Sequence, residues 1–197
     1  MSDGVNLGRR RFLGVATGVT SAVGVAFVAV PFLASWKPSA RAQALGAPVE
    51  VDISKLEEGA LLRVEWRGKP VWVLKRTPEM IERLARADDM VRDPESEEPQ
   101  QPKYAVNRHR SIKPEVLVVI GSCTHLGCSP MPRFEAGAAD LGGADWPGGF
   151  FCACHGSKFD LAGRVWRGVP APLNLVVPPH RYVDESTILV GVDTGAA

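Results

Sequence analysis

The chain has 197 residues, enough for one ordinary globular domain plus an appendage and too few for two large domains. Its 23 lysines and arginines balance 22 acidic residues, which gives no reason to expect a nucleic-acid partner and excludes an acidic, solvating tail protein. All four cysteines fall between Cys123 and Cys154, with two of the four histidines, His125 and His155, among or next to them, and such clustering points to metal ligands or a redox pair rather than scattered buried thiols.

From Phe12 to Trp36 there is no charged residue, and this run of about 25 residues exceeds the ~20 that a helix needs to cross a bilayer. Residues 12–36 are therefore expected to form a single transmembrane helix in the lipid bilayer, kinked near Pro31. Gly14, Gly18 and Gly24 suit such a helix, where small residues let neighbours approach. Just ahead, Arg9, Arg10, Arg11, Phe12 and Leu13 resemble the twin-arginine export signal of proteins that cross the bacterial membrane already folded. That reading leaves residues 1–11 in the cytoplasm and sends the chain beyond Lys37 into the periplasm, anchored in the inner membrane. The alternative is a cleaved secretory peptide, for which Ala40, Ala42 and Ala44 supply a small-residue cleavage site. A run longer than a signal peptide's ~7–15-residue apolar core favours the retained anchor. Residues 37–47, rich in small side chains, read as a flexible hinge linker.

Residues 48–197 carry mostly strand periodicity. Val49, Val51 and Ile53 alternate with acids, as do Leu62, Val64 and Trp66 with charges before a turn at Gly68 and a returning strand at Val71–Leu74. Further strands are expected at Glu115–Gly121, Leu175–Val177 and Thr187–Val192. One helix is expected after Thr77, which can cap it, with Pro78 in the first position and Met80, Ile81 and Leu84 at helical spacing. The charged, proline-bearing segment from Arg92 to Lys103 reads as a surface loop. The fold class is thus mainly β, an antiparallel β-sandwich with one helical insertion behind a single N-terminal helix. His109 and His180 lie outside the cysteine cluster and are expected to be exposed or hydrogen-bonded surface histidines.

Two segments carry the chemistry: Cys123-Thr124-His125-Leu126-Gly127-Cys128 and Cys152-Ala153-Cys154-His155-Gly156-Ser157. Two cysteines and two histidines could hold a tetrahedral zinc, yet zinc-finger pairs keep like ligands together, and here they alternate. The paired motif closely resembles the two cluster loops of Rieske proteins of respiratory and photosynthetic cytochrome bc-type complexes, and the anchor and linker extend the resemblance over essentially the whole chain. It implies a Rieske domain with a cluster-binding subdomain at about residues 121–173 holding one [2Fe–2S] cluster, with Cys123 and Cys152 on one iron and His125 and His155 on the other. It further implies a disulfide between Cys128 and Cys154, which export into the periplasm would permit. Ser157 is expected to donate a hydrogen bond to a cluster sulfur, and Leu126 to exclude water and face a quinone pocket. The stretch Gly168 to Pro172, with Pro170 at its centre, resembles the family's proline-rich loop walling the cluster. Phe159 departs from the pattern, since many members carry a tyrosine there that hydrogen-bonds a ligand sulfur.

The activity so implied is that of a subunit of quinol–cytochrome c reductase, a proton-translocating oxidoreductase. It takes an electron from quinol, with a proton passing to His155, and delivers the electron to a c-type cytochrome by domain movement. Cytochrome b and cytochrome c subunits are the expected partners, in a dimeric complex. The competing reading is the Rieske small subunit of a periplasmic molybdenum oxidase such as arsenite oxidase, against which the anchor and linker argue.

Overall fold

The computed structural model describes residue 4 and residues 6–192. The first part of the expected cytoplasmic segment, residues 1–3 and 5, and residues 193–197 lie outside the described residues. The chain forms two compact units, one up to Ala44 and one from Leu45 onward.

In the first unit, α1 spans Leu7–Ala34, 28 residues, and none of its side chains is buried. It starts five residues before the apolar run because Arg9, Arg10 and Arg11 are good helix formers and Asn6 caps them, its side chain accepting from the Arg9 N–H at 3.0 Å. The helix continues past Pro31, and the Ser35 N–H closes the last turn on the Pro31 carbonyl at 2.9 Å. Thr20 satisfies its hydroxyl internally, on the Ala16 carbonyl at 2.9 Å, as an apolar surrounding demands. With a mean hydropathy of 2.0 in its most apolar window, α1 is the helix among the described residues long and apolar enough to cross a membrane. A second helix, α2 (Ala40–Gly46), forms where the sequence suggested irregular linker. Alanine, arginine and glutamine outweigh the absence of an apolar face there, and the Ser39 hydroxyl accepts from the Ala42 N–H at 3.2 Å.

The described residues of the second unit form nine short strands: β1 (Val49–Asp52), β2 (Leu61–Trp66), β3 (Lys69–Lys75), β4 (Val116–Ile120), β5 (Met131–Arg133), β6 (Gly149–Cys152), β7 (Ser157–Asp160), β8 (His180–Tyr182) and β9 (Thr187–Val190). All pairs are antiparallel, in three sheets ordered β1-β9-β8, β2-β3-β4 and β5-β6-β7. The β2–β3 hairpin turns on Arg67 and Gly68, both at positive φ (52° and 69°), the two-residue geometry whose twist matches its strands. One helix, α3 (Pro78–Arg86), follows with Thr77 as its cap, accepting from the Met80 N–H. Mainly antiparallel sheet with one helical insertion is what the periodicity implied.

The central sheet is buried on both faces, which explains why β3 and β4 read as near-continuous apolar runs. Val71, Val73, Val116 and Val118 pack with Val51, Ile53, Ile188 and Val190 of the β1-β9-β8 sheet. The alternate residues Trp72, Leu74, Leu117 and Val119 pack with Leu84 of α3 and with Phe150 and Phe159 of the third sheet. Two cores thus share one sheet, and the second contains Cys123 and Cys152.

Leu175–Val177 is not a strand. Its N–H and carbonyl groups go singly to separate segments, Leu175 N–H to Gly163 (2.8 Å) and Val177 N–H to Gln100 (2.9 Å) in two loops, and the Val176 carbonyl to the N–H of Ile120 at the end of β4 (2.8 Å). Pro170, Pro172, Pro178 and Pro179 flank it and cannot donate to a ladder. His180 is not on the surface: it is 1% exposed, because Tyr104 folds over it and donates to its carbonyl at 2.7 Å. Burial pushes its imidazole below the usual histidine range. His109 is half-buried.

Candidate metal centre

Two tight turns carry all four cysteines. The first follows β4, where Gly121 lets the chain pass against the Trp72 indole; a Cβ there would overlap the ring. The Cys123 N–H then donates to the Cys128 carbonyl at 2.7 Å, and the Gly127 N–H returns to the Cys123 carbonyl at 2.9 Å. The second turn joins β6 to β7. Cys152 pairs with Ser157 in the ladder, and the Gly156 N–H donates to the Cys152 carbonyl at 2.9 Å. In each turn the glycine four residues after the cysteine sits at positive φ (84° and 80°), a conformation that L side chains resist. The same backbone device thus presents each cysteine.

The turns meet. Cys128 and Cys154 are joined in a disulfide, with Cα atoms 6.7 Å apart, while Cys123 and Cys152 are free and buried. The imidazoles of His125 and His155 stand edge to face with centroids 4.7 Å apart. The Cys152 sulfur lies within 4.8 Å of both disulfide sulfurs. Those three sulfurs are no ligand set, since the two in the disulfide have no thiolate to offer. Burial pushes the Cys152 thiol up, and the adjacent Cys123 thiol adds to the shift. A metal taken by these sulfurs must displace their protons. The His125 Nδ1 is buried with no hydrogen-bond partner. A buried ring nitrogen left unpaired is costly unless something absent from the protein part takes it. Two thiols and two imidazoles, one with an orphaned nitrogen, on two turns joined by a disulfide make up the kind of donor set that an iron–sulfur cluster of mixed ligation needs.

A third segment ties both turns together. The Ser157 hydroxyl, fully buried, accepts from the Ala171 N–H at 3.0 Å, which leaves its own proton free to donate. Thr124 donates to the Leu173 carbonyl at 2.5 Å. Pro170 is exposed beside these contacts, as are His155 and Leu126, the last by 70%. The loops thus expose apolar side chains as well as an imidazole. Sequence reasoning missed Thr124 and the Ala171 N–H, because a threonine and a backbone amide carry no signal of their own. It also missed the buried pair Asp160–Arg164 at 2.7 Å, for which two opposite charges in the otherwise apolar run Phe159 to Val165 were the available sign.

Comparison with known proteins agrees with this geometry. The family model described as "Rieske [2Fe-2S] domain" matches residues 48–179, and the one described as "Ubiquitinol-cytochrome C reductase Fe-S subunit TAT signal" matches residues 1–39. The ubiquinol-cytochrome c reductase iron-sulfur subunit of Allochromatium vinosum is 62% identical over 196 residues, covering 100% of this chain and 94% of its own length. That of Blastochloris viridis is 45% identical over 191 residues, covering 96% of each. Among solved structures, a chain of a "Hyperthermophilic respiratory Complex III" has a TM-score of 0.47 at 22% identity, over 89% of this chain and 98% of that one. With both cysteine turns inside the matched span and full-length relatives at this identity, the chain belongs to the Rieske iron–sulfur proteins, in the family of ubiquinol–cytochrome c reductase iron–sulfur subunits.

Proposed function

We propose that this chain is the electron-transferring subunit of a quinol–cytochrome c oxidoreductase, with Cys123, His125, Cys152 and His155 holding its [2Fe–2S] cluster. The observation that carries the reading is the meeting of two free buried thiols with two imidazoles under a disulfide that joins their turns. The relatives' shared name favours this over a molybdenum oxidase subunit. When bound, the cluster supplies a one-electron carrier whose imidazole ligands couple electron uptake to a proton.

The protein's own groups do the rest. Cys123 and Cys152, buried, keep water from the sulfur side, whereas the exposed His155 offers its outer ring nitrogen to quinol as hydrogen-bond partner and proton acceptor. His125, half-buried beside it, fixes the second imidazole. Leu126 and Pro170 give the exposed rim an apolar surface suited to a quinone pocket. Ser157 donates to the cluster, its lone pair already satisfied by Ala171.

At the level of the chain, residues 1–11 lie in the cytoplasm, 12–36 span the inner membrane, 37–47 form the hinge and 48–197 work in the periplasm, with residues 121–173 as the cluster-binding part. The N-terminal match and α1 support the anchor. The short α2, which buries no residue and whose Leu45 carbonyl accepts from the Arg67 N–H at 3.2 Å, suits a lightly held hinge. Through that hinge the domain carries the electron from quinol to a cytochrome c subunit, in an assembly that includes cytochrome b. Detergent solubilisation of native membranes tests this: the chain is expected to co-purify with haem b and haem c. Release by a salt wash without haem would contradict it.

A further inference from the structure

Among the described residues of the second unit, three arginines, Arg76, Arg110 and Arg164, are fully buried, against one fully buried carboxylate, Asp160. Arg164 is balanced: its guanidinium pairs with Asp160 at 2.7 Å and with Asp88 at 2.8 Å. The other two are not, and among the described residues neither makes a salt bridge. Arg76 donates to the carbonyls of His109 (3.0 Å) and Leu161 (3.3 Å) and to the Ser111 hydroxyl (2.7 Å). Arg110 donates to the carbonyls of Ala162 and Gly163 (3.2 Å each) and to the Gln101 side-chain oxygen (2.9 Å). In both, Nε is buried with no partner. Asp160 and Glu115 act on Arg76, and Asp160 and Asp93 on Arg110, only at longer range. Burial pushes each guanidinium down to about 10, which leaves both charged at neutral pH.

Two buried cations without a salt-bridge partner are costly, and the carbonyls, hydroxyl and amide oxygen they satisfy call for hydrogen-bond donors rather than for a full charge. Their placement gives them a use. Besides the His109 carbonyl, the carbonyls they hold belong to three consecutive residues, Leu161 to Gly163, immediately after β7, the strand that begins at Ser157. Leu161 and Ala162 share one apolar core with Phe159, Cys123 and Cys152. Strand rise puts the guanidinium groups on the order of 10–15 Å from the cysteine turns, across a medium that excludes water and salt. A fixed charge acting through such a body is screened far less than one on the surface.

We propose that Arg76 and Arg110 are positioning residues for electron uptake: buried charges without a salt-bridge partner that hold the turn behind β7 and favour the reduced cluster, raising its midpoint potential. The proposal rests on the ligand assignment above. A unit charge at that range and an effective dielectric of ~20 changes a one-electron equilibrium roughly five- to fifteenfold.

The test is a redox titration, followed by low-temperature EPR, of the purified full-length, cluster-bearing protein at fixed pH. Arg76→Met and Arg110→Met remove one charge each. Gln101→Glu instead leaves Arg110 in place and sets a carboxylate where the amide oxygen now accepts from it, with almost no change of shape. All three are expected to lower the equilibrium constant for reduction at least about fivefold, ~40 mV for one electron. The size of the shift should not depend on salt between ~0.05 and ~1 M. A purely structural role gives no reason for removal of a cation and addition of an anion to share a sign. An unmoved midpoint in Gln101→Glu protein with an intact EPR signal would overturn the proposal. Absence of the iron–sulfur signal from the parent protein would instead overturn the ligand assignment.

Discussion

Phe159 lies fully buried, two residues beyond Ser157 and opposite Phe150 in the β6–β7 ladder. Its ring carries no hydroxyl, so it cannot stabilise a ligand sulfur as a tyrosine would. A hydrogen bond worth ~1 kcal/mol that favours the reduced state corresponds to roughly 40 mV for one electron. Phe159→Tyr is expected to raise the midpoint potential by about that amount in a redox titration, and an unchanged or lower potential would count against this role for the position. At the same scale, the six cysteines and histidines of the site were legible because cysteine and histidine at such short spacings have few uses besides binding metal. Arg76 and Arg110 were not legible. An arginine next to a strand reads as exposed, and only the fold shows that Leu161, Ala162 and Gly163 bring their carbonyls to meet them.

Between elements, the disulfide from Cys128 to Cys154 joins the turn after β4 to the turn after β6, which belong to different sheets. It closes a loop of 26 residues, worth about 3 kcal/mol in the chain-entropy model. Cys128→Ser is expected to lower unfolding free energy by roughly that amount in denaturant melts and to make the bound iron easier to chelate, since both turns lose their common clamp. Retention of full stability would show that the turns are held by packing alone. Strand periodicity revealed β2, β3, β4 and β9, and the Thr77-Pro78 cap revealed α3, because each has enough apolar repeats to register. β5 to β8 have three or four residues each, interrupted by Pro132, Gly149 and the ligand turns, so no window contains a full period. Leu175–Val177 misled for the opposite reason: its apolar residues fill the core as a strand's would, but its backbone bonds go singly to two loops and the end of β4.

For the molecule as a whole, the anchor helix and the β-domain are separate compact units with different solvents in view. α1 exposes Phe12, Val15, Val25, Phe27 and Val28 along its length, a surface that only a lipid or protein surrounding makes favourable. The domain from Leu45 onward buries two apolar cores and needs no such surrounding. Everything functional follows from what its cysteine turns hold. Quantifying iron and acid-labile sulfide in the purified full-length protein tests that most directly. The account predicts two irons and two sulfides per chain, and zinc, or iron without acid-labile sulfide, would contradict it.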